Sequence, residues 1–276
     1  MNSDDNRDTH GPQDRNNSAW PGAMLAAITA PTSASKDTLI CALPLPADGA
    51  TWDLPAIPAR PGRPADLRIG PPPRRRRGLD DPASRRRFLH AIWHIELSAV
   101  DLACLTSLHG SGMPSAFHAD FKRIACEEAF HADLIAGWLA DNGFPVGSDP
   151  VHHRLWDAAL AATDLGELLV VIPRFLEARG LDVTAELLPR IVAVDPAAHA
   201  VLARIYQDEI NHVGTGTRWH AWWCARQGVD PQVHFATTVR RHFSNQLPSP
   251  FALDHAGRAA AGFTAADLAV LTEKPG

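Results

Sequence analysis

Two sequences of the form Glu-x-x-His stand far apart in the chain, at Glu128–His131 and at Glu209–His212. Residues three apart on an α-helix project from the same side, so the carboxylate and imidazole of each pair can bind one metal ion. The carboxylate can also bridge towards a second metal ion. One such pair alone is weak evidence, because surface glutamates and stray histidines fall at this spacing by chance.

Two further glutamates place these pairs in a repeated register. Glu96 lies 32 residues before Glu128, and Glu177 lies 32 residues before Glu209. The two halves are therefore related by an offset of 81 residues. The repeat lies in the spacing of the candidate ligands rather than in sequence identity. Six residues in this repeated register would rarely arise by chance.

The four glutamates share helical faces with apolar side chains, which predicts that their carboxylates point into a core. Buried carboxylates close together repel one another and take up protons unless cations neutralise them. One Glu from each of two helices, with one Glu-x-x-His from each of two others, is the ligand set of carboxylate-bridged di-iron bundles. We therefore predict six metal ligands: Glu96, Glu128, His131, Glu177, Glu209 and His212.

The donor set also indicates which metal binds. Four oxygen and two nitrogen donors suit high-coordinate iron or manganese better than tetrahedral zinc. We expect two iron ions, with a mixed manganese and iron pair as the alternative, and O2 as co-substrate. The four glutamates would then be the catalytic residues that bridge the metals and support the activation of O2.

Residues next to the ligands are candidates for supporting roles. A metal-bound imidazole usually donates its other N–H to an acceptor. The acid before each motif glutamate is well placed for this on the opposite helix, which pairs Asp208 with His131 and Glu127 with His212. Tyr206, one turn before Glu209, is a candidate hydrogen-bond donor or redox-active phenol near the metals, with core packing as the alternative.

The ligands require four long helices. Apolar residues at three- and four-residue spacing predict helices at 84–108, at 114–141 and from 164 to 179, the last continuing after Gly180 as VTAELLPRIVAV. A fourth helix begins near Asp195 and runs through WHAWWCARQG. Pro173 and Gly180 should bend the third helix. The pattern predicts an all-α, ferritin-like four-helix bundle with almost no β-structure.

The chain divides into three parts by composition. Residues 1–82 are rich in Pro and Gly and lack sustained helical periodicity, which predicts a partly disordered, irregular N-terminal arm. Residues 83–228 form the di-metal bundle. Residues 229–276 are expected to form an extension of short helices and irregular chain, with one helix near 233–243 and one after Thr264, that covers the bundle.

Composition limits the class of protein. The chain has 276 residues, 45% of them apolar, and a net charge of −5, which argues against general nucleic-acid affinity. The four cysteines show no paired spacing, so neither a disulfide framework nor a thiolate zinc site is expected. The polar, acidic start MNSDDNRDTH does not resemble a secretory signal, and we expect a soluble cytoplasmic protein without a membrane partner.

Four strings carry a family resemblance: HAIWHIEL, IACEEAFH, FLEARGLDVT and YQDEINHVGTGTRW. With RAAAGF at 258–263, they resemble a bacterial ferritin-like family catalogued as domain of unknown function 455, over about residues 60 to 265. The segment FALDHAG departs from the family pattern; if it lines the substrate entrance, the substrate here differs from that of relatives. The ligand set is more distantly similar to the di-iron tRNA hydroxylases and to other oxygen-activating ferritin-like enzymes.

Three classes of function fit a buried iron pair. We expect an O2-dependent oxygenase or oxidase that acts on a small organic substrate, since over a hundred residues lie outside the bundle and can build a pocket. The first alternative is a ferroxidase or iron-handling protein, for which Fe(II) is the substrate. The second is a scaffold protein with an inert metal site.

Several polar residues and partners remain to be assigned. Arg179, Asp182 and Arg258, with Arg218, are candidates for orienting the substrate, although structural ion pairing explains each equally well. The arginines in RRRRGLDDPASRRR leave a tRNA-modifying hydroxylase open, with local pairing as the simpler explanation. An external electron donor stays open as a partner. So does the oligomeric state, with a dimer as one option.

Overall fold

The chain is almost entirely helical. A computed structural model describes residues 12–71, 78–248 and 251–273. Within these ranges the β-structure is limited to one isolated parallel bridge between Ile69 and Val151, as the sequence predicted. The α-helices are α1 (Pro12–Thr29), α2 (Ser33–Ile40), α3 (Pro82–Leu108), α4 (Ser115–Asp141), α5 (Arg154–Leu160), α6 (Leu165–Leu169), α7 (Ala178–Ile191), α8 (Pro196–Gln227), α9 (Pro231–Phe243), α10 (His255–Ala260) and α11 (Ala265–Leu271).

Four long helical elements form the bundle: α3, α4, the run from α6 through a π-helical segment (Val170–Glu177) to α7, and α8. Their bounds lie within a few residues of those predicted. At the start of α3, Asp81 accepts a hydrogen bond from the Ser84 backbone N–H. Asp195 caps α8 in the same way, and Gly228 ends α8 in the left-handed conformation, at φ 68°. These caps satisfy backbone groups that the helices leave unpaired.

The third bundle element contains a wide turn. Pro173 lies inside the π-helical segment. Proline has no N–H to donate, and its ring collides with the carbonyl four residues earlier, so a wider turn accommodates it. Gly216 on α8 faces this turn, where a Cβ atom would collide with the ring of Pro173. The irregularity predicted at Pro173 is therefore a π-helical turn, whereas Gly180 lies inside α7 without interrupting it.

The segment before the bundle is more regular than predicted, and the expectation of an irregular arm was wrong for α1 and α2. Trp20 on α1 is fully buried, and its indole Nε1–H donates to Ser107 Oγ on α3 at 3.2 Å. Helix α1 packs against α3, and α2 packs against α4. The chain from 43 to 71 is irregular, as expected. The predicted disorder at the start falls largely on residues 1–11, which lie outside the described ranges.

A disulfide between Cys41 and Cys126 joins the end of α2 to α4. The expectation that the cysteines form no disulfide was wrong. The two residues are 85 positions apart in the chain, but packing of α2 against α4 brings their Cα atoms to 6.1 Å. Spacing along the sequence could not reveal this pairing. Cys104 and Cys224 are free and buried.

The C-terminal extension packs on the bundle through buried ion pairs. Helix α9 lies against the π-helical segment and α8, and α11 lies against α9. Arg258 on α10 donates to both carboxylate oxygens of Asp182 on α7, at 2.8 and 2.7 Å. Arg174 in the π-helical segment lies 3.1 Å from Asp267 on α11. Planar charge-assisted pairs of this kind fix orientation as well as contact.

Helix α3 is long and apolar enough, by composition, to cross a membrane. However, 83% of its apolar window is buried inside the fold. This burial is that of a core helix.

The apolar core consists of two clusters that meet near the middle of the bundle. On α4 the boundary runs between Ala129 and Ala132, and on α8 it runs between Ile205 and Val213. Each bundle helix therefore carries apolar side chains on both sides of this boundary. The motif residues of α4 and α8 occupy the boundary itself.

A buried charge cluster fastens the N-terminal segment to α3. The Lys36 ammonium group donates to Asp101 Oδ1 at 2.6 Å and to two backbone carbonyls at the end of α1. Arg63 donates to Asp101 Oδ2 at 2.7 Å. Burial lowers the pKa of Lys36 and raises the pKa of Asp101. One carboxylate therefore pairs with two cations, of which Lys36 is fully buried and the Arg63 side chain nearly so.

Replacing this carboxylate should destabilise the fold. We expect Asp101→Ala to lower the free energy of unfolding by about 3–5 kcal/mol, because it leaves two buried cations unpaired. Asp157→Ala removes the exposed partner of Arg60 and should cost only about 0.2–1 kcal/mol. Urea unfolding followed by circular dichroism measures both. Equal losses for the two variants would contradict this role of Asp101.

Candidate metal centre

The six predicted ligands converge on the boundary between the two apolar clusters. Helix α3 supplies Glu96, α4 supplies Glu128 and His131, and α8 supplies Glu209 and His212. All five are buried, and both imidazoles are fully buried. Glu177, the last residue of the π-helical segment, is partly buried. Each bundle element thus contributes at least one ligand, as the sequence predicted.

Short distances connect the ligands across the helices. His131 Nδ1 lies 3.3 Å from Glu96 Oε2 and 3.4 Å from Glu128 Oε2. His212 Nδ1 lies 2.9 Å from Glu128 Oε1 and 3.4 Å from Glu209 Oε1. Ligand atoms of Glu96, Glu128, His131 and Glu209 all lie within 4.8 Å of one another, close enough for a shared metal ion.

Electrostatics show that the cluster needs positive charge. Burial and the neighbouring Glu128 raise the pKa of Glu96 to about 7, and burial and the charge of Glu209 raise the pKa of Glu177 well above its ordinary value. Burial acts to lower the pKa of His131, but the nearby carboxylates of Glu128 and Glu96 outweigh it and raise that pKa to about 11. The same competition raises the pKa of His212. Protons therefore occupy the cluster when metal does not, and metal binding must displace them.

Unpaired atoms in the cluster fit a metal pair. Four buried atoms have no hydrogen-bond partner: Glu96 Oε2, Glu128 Oε2, Glu177 Oε2 and His131 Nδ1. Leaving such atoms unpaired is costly, and carboxylate oxygens with imidazole nitrogens are the donors that iron and manganese accept. The six residues are therefore suited to hold two divalent ions.

The Nε2 atom of each imidazole contacts an acid on the opposite helix. His131 Nε2 lies 3.1 Å from Asp208 Oδ2, and His212 Nε2 lies 2.7 Å from Glu127 Oε2. These are the pairings expected from the sequence. With Nε2 donating to the acid, each Nδ1 faces the glutamates and can bind a metal ion once protons are displaced.

Two arginines complete this arrangement, and the sequence reasoning missed them. Arg204 Nε donates to Asp208 Oδ2 at 2.6 Å, and Arg123 Nη1 donates to Glu127 Oε2 at 2.7 Å. Each arginine precedes its acid by one helical turn. Arg123 and Arg204 are also 81 residues apart, so the register of the ligand repeat was a signal that could have found them.

An apolar cavity of about 310 Å³ reaches the four carboxylates. Its size lies at the lower end of the range for small-molecule sites. Phe251, from the segment predicted to cover the site, forms part of the wall. The lining is mainly apolar: Phe88, Ala91, Ile92, Ile95, Ala99, Leu102, Leu155, Leu176, Val183, Leu202, Ile205 and Phe251, with Arg179, Gly180, Thr184 and the four glutamates. A larger open groove of about 590 Å³, between α8 and α10, contains none of the ligands.

The three substrate-orienting candidates divide into two groups. Arg179 lines the cavity. Asp182 and Arg258 do not line the described part of the cavity. They pair with each other instead. The backbone N–H of Asp254 also donates to Asp182 Oδ1, at 2.8 Å. Asp182 and Arg258 thus form the structural ion pair that was the alternative for each, and a role for them towards a substrate stays a prediction. They attach the C-terminal extension to α7.

Tyr206 also belongs to this attachment. Its hydroxyl donates to Asp254 Oδ2 at 2.5 Å, and burial together with that carboxylate raises the pKa of the phenol to about 12. It is absent from the described walls of the cavity. The phenol therefore contacts the C-terminal extension, and a role for Tyr206 beside the metals stays a prediction.

Three of the other basic candidates pair with nearby acids. Arg85 donates to Asp195 at 2.9 Å, and Arg87 lies 3.6 Å from Asp149. Arg218 donates to Asp120 at 2.7 Å. The arginines at 74–77 lie outside the described residues.

Removing the acid that contacts an imidazole Nε2 should weaken metal binding without abolishing it. We expect Asp208→Asn to retain the metal stoichiometry and to lower metal affinity about 10–100-fold, because His131 loses a charged acceptor. Glu186→Gln changes an exposed acid that pairs with Arg190 at 4.0 Å on α7, and should have no effect. Competition with a chelator measures affinity. Unchanged affinity in Asp208→Asn would contradict this role.

Comparisons with known proteins give a family and no activity. An uncharacterized protein of Haemophilus influenzae is 35% identical over 165 residues, which covers 56% of this chain. The chain spans only 57% of the length of that relative. No solved structure matches the chain. The model of a family described as "Protein of unknown function (DUF455)" matches residues 26–269, and the chain belongs to that family.

Proposed function

We propose that the chain is a non-haem di-iron oxidoreductase that uses O2 to oxidise a small organic substrate. One observation carries this proposal: a mainly apolar cavity of about 310 Å³ reaches the four carboxylates. A ferritin-like bundle with a metal pair needs no such cavity to handle iron alone. A cavity of this size and lining suits a small organic molecule.

The expected cofactor is a pair of iron ions, with a manganese and iron pair as the alternative. When bound, such a pair supplies the electrons that reduce O2, and the substrate or an external donor restores them. The chain itself holds the pair through six buried ligands and neutralises its charge with four carboxylates. Asp208 and Glu127 accept the Nε2–H groups of the two imidazoles and fix their orientation.

The cavity has two tasks in this reaction. Its apolar walls exclude water from the metals, which protects a reactive centre from side reactions. They also hold the substrate beside the carboxylate cluster, which replaces a random encounter with a fixed geometry. Side chains of α3, α7 and α8, with Phe251, form these walls.

A ferroxidase is the remaining alternative, since the same six ligands can bind Fe(II) as a substrate. A tRNA-modifying hydroxylase has less support, because Arg85 and Arg87 pair with acids of the chain itself. We also propose a cytoplasmic location, where reductants can keep the iron pair reduced. A disulfide such as Cys41–Cys126 would be transient in that compartment.

The metal content tests the first part of the proposal. After anaerobic reconstitution with Fe(II), we expect close to two metal ions per chain by elemental analysis. Glu128→Ala and His212→Ala should lower this number and leave the helical circular dichroism signal largely intact, because the apolar clusters on both sides of the ligands hold the helices together. A single metal ion in a four-coordinate site would contradict the di-iron proposal.

Turnover with O2 separates an oxidase from a ferroxidase. Without an organic substrate or reductant, we expect O2 uptake to stop after about one oxidation of each iron pair, since the cavity is built for an organic molecule. Oxygen uptake with an excess of Fe(II) measures this. Sustained oxidation of tens of Fe(II) ions per chain at the initial rate would favour the ferroxidase.

Deletion of residues 245–276 is a poor test of the same question. It would remove Arg258 and Asp267 and leave their buried partners, Asp182 and Arg174, unpaired. Such charges destabilise a fold strongly. Point variants in the cavity are therefore preferable.

A further inference from the structure

The cavity contains one cation among its described lining residues. Apart from the four glutamates, its polar side chains are Arg179 and Thr184. Arg179 is partly buried on α7. Its Nη1 donates to Gln246 Oε1 at 3.0 Å, and its guanidinium lies 5.9 Å from the centre of the Phe175 ring. A guanidinium has five N–H donors, so most of its capacity is unused.

Arg179 forms no ion pair with a carboxylate among the described contacts, in which its side chain donates to Gln246. Asp182 is the nearby acid, and both of its oxygens already accept from Arg258. Arg258 is itself almost fully buried, and its Nη1 atom has no partner. Two guanidinium groups thus lie near one carboxylate, and that carboxylate pairs with Arg258, which leaves the Arg179 guanidinium without an ion-pair partner at the cavity.

Gly180 leaves space at the same position. It lines the cavity next to Arg179, is exposed, and lies inside helix α7. A Cβ atom at Gly180 would meet no atom within 4 Å, so close packing does not require glycine. The backbone conformation does not require glycine either, because the φ angle of Gly180 is not positive. Glycine inside a helix is unfavourable relative to alanine, and open space beside the cavity is the feature it preserves here.

We propose that the cavity binds a small amphiphilic organic anion, with its head group at Arg179 beside Gly180 and its apolar body among the aliphatic side chains towards the carboxylates. This inference rests on the proposed function, because it takes this cavity as the substrate pocket. A guanidinium recognises carboxylate and phosphate equally by charge and planar geometry. An anionic head also avoids the carboxylate cluster, so the molecule has one favourable orientation. The apolar end then lies nearest the metal ligands.

Binding of matched probes tests the head group without any oxidation step. We use octanoate, octyl phosphate and octan-1-ol with the iron-loaded full chain under anaerobic conditions, measured by calorimetry. At least one of the two anions should bind ten times more tightly than octan-1-ol. The better anion identifies the head group. Equal affinity for all three probes, or tighter binding of the alcohol, would overturn the proposal.

Variants on α7 test the two residues. Arg179→Gln should remove the preference for the anion and weaken its binding at least tenfold. Arg190→Gln, the same change on the same helix at an exposed position, should leave binding unchanged. Gly180→Ala should raise the melting temperature, and Gly180→Leu should weaken anion binding at least tenfold without lowering the melting temperature. Wild-type binding by either Arg179→Gln or Gly180→Leu would refute the assignment.

The anion site and the oxidoreductase activity can be refuted independently of each other. If anions bind as expected but O2 uptake with Fe(II) is that of a ferroxidase, the binding site stands and the oxidoreductase fails. If O2 uptake stops after one oxidation of each iron pair but the alcohol binds as well as the anions, the oxidoreductase stands and the anion site fails.

Discussion

Four carboxylates inside one helical bundle are the constraint on which the rest of this structure depends. Such a cluster is stable only with cations, whether protons or metal ions. From the carboxylates outwards, charge alternates from imidazole to acid to guanidinium, through His131, Asp208 and Arg204 on one side. His212, Glu127 and Arg123 form the same series on the other side: His212 Nε2 lies 2.7 Å from Glu127, which accepts from Arg123. The apolar clusters above and below the ligands fix the four helices, so the geometry of the ligands does not depend on bound metal alone.

The features that repeat along the chain could be predicted from the sequence. Helices α3, α4 and α8 show apolar residues at helical spacing, and α3 and α8 also begin at capping residues. The candidate ligands recur with an offset of 81 residues. The repeat extends further than the ligands, since Glu127 and Asp208 share the offset with Arg123 and Arg204. A repeat in register is a local property of each helix. It can therefore be found without knowledge of how the helices pack.

Contacts between distant residues could not be predicted in this way. Helix α2 has only eight residues and α1 contains Pro21, and what holds them is packing with partners far along the chain. Lys36 pairs with Asp101 over 65 positions, and Cys41 with Cys126 over 85. A buried lysine or a scattered cysteine carries no local sign of its partner. The same limitation applies to Asp182 and Arg258, whose types fit substrate binding as well as ion pairing.

The C-terminal extension links the shared and the divergent parts of the sequence. Asp182 lies in EARGLD and Arg258 begins RAAAGF, two strings that carry the family resemblance, and their ion pair joins α7 to α10. The divergent segment FALDHAG lies directly before Arg258 and places Phe251 in the cavity wall. Asp254, in the same segment, accepts from Tyr206 and holds the segment against α8. A rigid attachment at one end lets residues such as Phe251 differ without movement of the metal ligands. In the proposed oxidoreductase, substrate preference can therefore change in this segment while the carboxylate cluster stays the same.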